Sequence, residues 1–335
     1  MGDHCLVKSL REVCRRILDF CLELGKGEKM LILFDRTSRE LAPSFEEEAN
    51  RLKAISQLCE LPYGEKTASF PESVLTMAKS LSEEDAVIVL SSGSMIHYLS
   101  IHKVVSPFSR LRSIRSRSLY IPPFPKESLV RIISVDFDEY ECYQDKLLRA
   151  FDRIQTARLF TNAGTNIAFR VRKFGFTPYR AIFPGEHALF HLGEIWTAII
   201  EDSAEGVLLY DTCLAGGKIQ SKLVLHVSGG RAFGETIVGK PDPVIEEYLK
   251  SLRGADENAR IVGELGIGLN PNAKISGCIM EDESVRGTCH IDLGDNRSLG
   301  GLSKSDFHAG GVMMYPTIEA DGRPVLVEGV FKSFH

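Results

Sequence analysis

The chain has 335 residues, 44% of them apolar and 25% charged, with a formal net charge of -5 and a pI near 6.0. That length exceeds one small core and suits two domains of ordinary size. The mild acidity excludes the classes that need a basic surface, so neither nucleic acid nor an anionic membrane is expected as a partner.

Eight cysteines are scattered along the chain and none forms a C-x-x-C pair. Zinc-ribbon and thioredoxin-like sites therefore have no support, and free thiols in a reducing cytoplasm are expected. The first residues lack a basic segment followed by an unbroken apolar run, which argues against a signal peptide. No stretch of about 18 apolar residues occurs, so no membrane-spanning helix is expected.

Residues 5–25 carry apolar side chains at helical spacing, with Gly25 and Gly27 closing the segment. Lys29–Phe34 is a short apolar run ending at Asp35, as in a buried parallel strand. A helix over 39–54, a strand over Ala54–Leu61, a helix over 72–81 and a strand over Ala86–Leu90 follow. This alternation predicts a doubly wound α/β domain. The Ser91–Ser94 turn has the look of a phosphate cradle but lacks the glycine pattern and lysine of a P-loop. His97 and His102 have no carboxylate at metal spacing. Residues 109–117 hold four arginines and read as a solvated basic loop or an anion contact, and Ile121–Pro125 reads as a rigid turn. A helix near 143–153 closes the first domain, assigned to residues 1–154.

Beyond residue 155 the texture changes. Runs such as Ala168–Arg172, Gly206–Tyr210 and Leu223–Val227 alternate with glycine turns, and one helix is expected near 243–253. The second domain, 155–335, is read as a β-rich α+β unit. It ends in Gly263–Gly322, which contains Glu264, Glu283, His290 and His308, with Asp292 and Asp306 close to the histidines. Carboxylates and imidazoles on short strands suit a divalent cation, because anionic oxygen neutralises and can bridge ions. On a strand, residues i and i+2 share a face, which would pair His290 with Asp292 and Asp306 with His308. His187 and His191 are four apart and would chelate only on a helix, and Trp196 reads as core or a dimer contact.

Several segments in order carry a family resemblance. They are Leu24–Glu28, Gly164–Asn166, Leu192–Ala198, Gly263–Pro271, Glu281–Glu283, Gly287–Ile291 and Pro316–Gly322. With them the chain resembles the metalloaminopeptidases of the aminopeptidase T and aminopeptidase S type, in the branch that includes 2,5-dihydroxypyridine dioxygenase. The resemblance implies a centre of two divalent metals held by three glutamates, two histidines and an aspartate. It places Glu194, Glu264, Glu283, His290 and His308 among the ligands, with Glu264 and Glu283 also as candidate catalytic groups. Two positions depart from the pattern. Gly310 stands where the family has an aspartate after the last histidine, and no tyrosine matches near Asn296 and Arg297. Asp292 or Asp306 could supply the missing carboxylate.

The expected activity is metal-dependent hydrolysis of an amino-acid amide in a small peptide or peptide-like metabolite. The ion would be zinc, cobalt or manganese, and the assembly a homodimer. The alternatives are an iron-dependent oxygenase, in which His290, His308 and one carboxylate form a facial triad, and a pseudo-enzyme lacking the ligand at Gly310.

Overall fold

The computed structural model describes residues 9–61, 72–90, 115–176 and 178–332. The chain divides into two compact units, Met1–Ser134 with Thr177–Leu192, and Val135–Phe176 with Gly193–His335. Compared with the expected division at 154/155, the second unit takes the helix Phe137–Ala150, and residues 177–192 return to the first. That helix buries Phe137, Tyr140 and Leu147 and packs on a strand of the second unit, a long-range partner that local pattern does not reveal.

The first unit is built on a parallel sheet of five strands, β1 (Lys29–Phe34), β2 (Ile55–Glu60), β3 (Ala86–Leu90), β4 (Arg117–Ile121) and β8 (His187–Leu189), in the order β2-β1-β3-β4-β8. The expected α/β class is the one observed. Leu31, Leu33, Val87, Val89 and Tyr120 form its core with Val74, Leu75 and Ala78 of the helix Glu72–Lys79. β1 and β3 read as unbroken apolar runs because both faces are covered. Helix α1 (Leu10–Arg16) starts at Ser9, whose side chain accepts the Glu12 N–H. It runs on as a π-helical turn, Ile17–Leu22, and stops at Glu23 in the left-handed region (φ 47°), before the expected glycines. The helix Ala42–Arg51 is shorter than expected, with Ala42, Phe45 and Ala49 buried on one face.

The arginine run departs from expectation. Arg115 is exposed and pairs with Glu83, but Arg117 is a buried strand residue. Its guanidinium donates to the carbonyls of Leu22 and Glu84 and to the Glu28 carboxylate. Ser91–Ser94, His97, His102 and the remaining arginines of that run lie outside the described residues. A helix over Lys126–Ile133, which periodicity did not single out, follows Pro125. Among the described residues no helix is long and apolar enough to cross a membrane.

The second unit contains two antiparallel sheets. One has eight strands: β5 (Thr156–Phe160), β6 (Asn166–Arg170), β10 (Glu205–Tyr210), β13 (Lys222–Ser228), β14 (Arg231–Val238), β18 (Thr317–Ala320), β19 (Arg323–Val327) and β20 (Val330–Phe331). The other has seven, in the order β12-β11-β17-β16-β15-β9-β7. These are β7 (Gly175–Phe176), β9 (Glu194–Ala198), β11 (Cys213–Leu214), β12 (Gly217–Lys218), β15 (Val262–Gly268), β16 (Thr288–Gly294) and β17 (His308–Met314). The sheets meet where β10 packs on β17, and the Tyr210 hydroxyl donates to the Ile291 carbonyl at 2.8 Å. The helix Pro243–Gly254 is capped by Asp242, which accepts the Val244 N–H, and has proline in its first turn.

Candidate metal centre

The seven-stranded sheet assembles the site through its register. Glu264 of β15 stands opposite Asp292 of β16, and Asp292 opposite Gly310 of β17. One row along, Trp196 of β9, Gly266, His290 and Val312 stand in line. In the next row Glu194 faces Gly268. His308 faces Gly294 at the far end. Directly opposed residues on antiparallel strands share a face, so Glu194, Glu264, His290, Asp292 and His308 converge on one side of the sheet. Glu283 enters from the short helix Ile279–Asp282, whose C-terminal cap it forms.

The distances match this register. His290 Nε2 lies 3.1 Å from Glu194 Oε2 and 4.0 Å from Glu264 Oε1. His308 Nε2 lies 3.3 Å from Glu264 Oε2 and 3.4 Å from Asp292 Oδ2. Among the described residues, three sets of side chains bring one donor atom each within 4.8 Å of one another: Glu194, Glu264 and His290; Glu264, Asp292 and His308; Glu283, His290 and Asp292. Each set joins one histidine to two carboxylates, and none of the three contains both histidines.

Glycine makes the room. A Cβ at Gly266 would lie 2.0 Å from His290 Cε1 and 2.7 Å from Glu194 Oε2, so any side chain there would displace the ring and the carboxylate. His308 is oriented from behind. His308 Nδ1 is 2.7 Å from the Asp295 carbonyl, which only accepts, so Nδ1 carries the proton and Nε2 is left facing the acids. Asp295 is itself fixed by two charge-assisted bonds from Arg297. The acidic run Glu281–Glu283 divides its labour. Glu281 accepts the Lys274 N–H, Asp282 accepts those of Ser276 and Gly277, and Glu283 alone of the three joins the cluster.

Electrostatics favour an added cation. Glu264 is held well above the usual carboxylate range by burial, reinforced by Glu194 and Asp292. Glu283 is raised by the same desolvation, opposed by His290 and reinforced by Asp292. Burial disfavours the His290 imidazolium, but Glu283 and Glu194 outweigh it and raise the ring's affinity for a proton. Glu264 Oε2, His290 Nδ1 and Asp292 Oδ1 are buried with no hydrogen-bond partner among the described residues. Buried polar atoms are normally satisfied, and carboxylate oxygen and imidazole nitrogen are divalent-cation donors. The residues therefore fit a divalent ion.

Other expectations resolve differently. Asp306 is exposed before β17, its N–H donates to Asp256, and it joins none of the three sets. The strand alternation that would pair it with His308 begins only at His308 itself. His187 lies on β8 rather than a helix, with Nδ1 at the Ser118 hydroxyl, and neither it nor His191 enters a set. Trp196 sits against Gly175, where a Cβ would come within 3.1 Å of its ring. A groove of about 660 Å³ lined by Asp152, Arg153, Arg172 and Lys173 lies elsewhere on this unit and shares no residue with the cluster. The contributions of Gly266 and of the Asp295 carbonyl were not anticipated. The glycine alternation of Gly266 and Gly268 after Glu264 was their only sequence signal.

Comparison with known proteins places this geometry in context. The solved structure of 2,5-dihydroxypyridine dioxygenase from Pseudomonas putida KT2440 matches with a TM-score of 0.75 at 17% identity, over 97% of each chain. Wild-type AmpT from Thermus thermophilus matches with a TM-score of 0.64 at 14% identity, over 96% of this chain and 98% of that one. At these identities the likeness is one of fold. No curated protein sequence matches. The model of the family described as NicX, 2,5-dihydroxypyridine 5,6-dioxygenase, matches residues 9–333. Since that match spans both units, the chain belongs to the 2,5-dihydroxypyridine 5,6-dioxygenase family.

Proposed function

We propose that the protein is a metal-dependent hydrolase acting on an amino-acid amide bond of a small peptide or peptide-like metabolite. The observation that carries this reading is the make-up of the three ligand sets, each with one histidine and two carboxylates. A mononuclear facial triad needs both histidines on one ion. Four carboxylates and two histidines in overlapping sets instead suit two adjoining divalent ions, as in hydrolytic two-metal centres.

In this reading Glu194, Glu264, His290, Asp292 and His308 would hold the ions; Glu264, Asp292 and His290 each belong to two of the sets. A bound divalent cation supplies Lewis acidity. Glu283 enters the cluster from the end of a short helix and not from the sheet, and it belongs to only one of the three sets. Its raised proton affinity suits a general base. Its carboxylate takes a proton from the attacking water, whose oxygen bonds to the amide carbon. It then returns the proton to the departing amine nitrogen as the C–N bond breaks.

A second reading, dioxygenation of a dihydroxypyridine-like aromatic, is favoured by the family match over residues 9–333. One experiment separates the two. Protein loaded with Mn²⁺, Zn²⁺, Co²⁺ or Fe²⁺ is analysed for metal content and assayed with and without oxygen. Two ions per chain and oxygen-independent peptide hydrolysis are expected. One ion per chain with turnover only by the iron form, and only in oxygen, would replace the hydrolase with the oxygenase. No uptake of any ion would remove both.

A further inference from the structure

We infer that Asp292, on β16, is the carboxylate that binds a divalent cation beside His308, and that Tyr210 positions it by holding the neighbouring backbone where a side chain at residue 310 would have to stand. The inference rests on the cation-centre reading and assigns one ligand and its support within it.

Asp292 and Gly310 are directly opposed across β16 and β17. The Asp292 side chain is buried, with Oδ2 3.4 Å from His308 Nε2 and Oδ1 without a hydrogen-bond partner among the described residues. A Cβ built on Gly310 would lie 2.4 Å from Asp292 Oδ1 and 1.8 Å from the Ile291 carbonyl oxygen. Both are far inside contact distance, and the second obstacle is backbone, so rotating a side chain does not remove it. Position 310 is thus closed to any side chain while β16 keeps this path.

The path is fixed from the other face of the sheet. The Tyr210 hydroxyl donates to that same Ile291 carbonyl at 2.8 Å. Gly311, next along β17, leaves room for the tyrosine, since a Cβ there would lie 2.6 Å from Tyr210 Cδ1. The two glycines therefore serve opposite faces. Gly310 admits the aspartate in front, and Gly311 admits the ring that holds the aspartate's neighbour behind. Tyr210 is fully buried and stands at a T-shaped angle to Tyr248, so its hydroxyl has little freedom to leave the carbonyl.

The test titrates purified full-length protein with Mn²⁺ by calorimetry and follows thermal melting in chelator. Asp292→Asn keeps the shape of the side chain and is expected to weaken Mn²⁺ binding at one position by at least about tenfold. Tyr210→Phe is expected to weaken it by about tenfold, the effect usual for a group that orients a ligand. The double variant Asp292→Gly, Gly310→Asp is expected to remain as weak as Asp292→Asn. Wild-type affinity in Asp292→Asn, or recovery in the double variant, would overturn the assignment of Asp292. A Tyr210→Phe protein that melts lower in chelator but binds Mn²⁺ like wild type would make Tyr210 structural only. Failure of wild type itself to bind Mn²⁺ would instead remove the cation centre, a different outcome from any of these.

Discussion

Each unit buries charge, and the two do so in opposite ways. In the first, Arg117 is 5% exposed; its terminal nitrogens donate to three backbone carbonyls and to Glu28, and only its Nε has no partner among the described residues. In the second, Glu264 and Asp292 are buried as thoroughly, but each keeps an oxygen with no partner, and their nearest neighbours include other acids. Burying an ion costs several kcal/mol unless it is paired and hydrogen-bonded. A buried cation whose charge is met by an opposing carboxylate and by backbone carbonyls is part of the architecture. A buried charge left short of partners marks a place where something else is meant to bind.

This contrast can be broken by substitution, and the largest effect belongs to the cluster. Glu264→Ala removes a donor common to two ligand sets. It is expected to lower cation affinity and turnover by more than about a hundredfold, read by calorimetry and assay. A variant binding like wild type would sink the reading of the cluster as a metal centre. Next comes Arg117→Met, which leaves three carbonyls and Glu28 without their donor. A loss of about 3–5 kcal/mol in urea unfolding is expected, and a loss under about 1 kcal/mol would end the contrast.

Gly266→Ala follows, because its new methyl would meet the His290 ring. Overpacking of this kind costs about 1–3 kcal/mol, and cation uptake should weaken with it. Glu264→Gln gives the smallest effect and the most telling sign. Measured in chelator near neutral pH it should stabilise the protein by about 0.5–2 kcal/mol, since glutamine removes the cost of keeping this buried carboxyl protonated above the pH at which the unfolded chain releases its proton. With Arg117→Met moving the opposite way, the pair tests the comparison directly.

The pH dependence in chelator has a defined sign. Glu264 and Glu283 are raised, so the folded state keeps protons that the unfolded chain releases above about pH 4.3. Their contribution falls as pH rises from there. His290 is also raised, and its contribution is present below about pH 6.5 and lost as pH climbs further. Both trends run together, so the melting temperature should fall between about pH 5 and 8 in chelator. Saturating Mn²⁺ should remove the decline. Asp85, Asp242 and Asp256 are held low, the latter two by N–H donors that outweigh their burial, so their contribution is lost only as pH drops below the ordinary carboxylate range. The two windows do not overlap.

Much of the first unit was legible because its strands are continuous apolar runs and its helices have a buried stripe. Lys29–Phe34 and Ala86–Leu90 agree with expectation at both ends. β4 was missed because it begins with arginine and serine, residues that local pattern assigns to a loop. The helix 143–153 starts earlier, at Phe137, because Asp136 caps it by accepting the Glu139 N–H. The acids and imidazoles of Gly263–Gly322 were legible as residue types, Glu194 entered only through the family resemblance, and Asp292 and Asp306 were both named as candidates. Choosing between those two was beyond the sequence, because i, i+2 alternation holds only inside a strand, and β17 starts at His308.

The sequence by itself determined the α/β class of the first unit, the β-rich character of the second and the presence in Gly263–Gly322 of acids and imidazoles as candidate donors. These follow from periodicity and side-chain chemistry, which are local. The tertiary structure alone decided which acids meet. Cross-strand register sets Asp292 against Glu264 and Gly310, and no local signal encodes register between strands some twenty residues apart. It also decided that position 310 is closed, because the obstacle is the backbone of a neighbouring strand held by a tyrosine from another sheet.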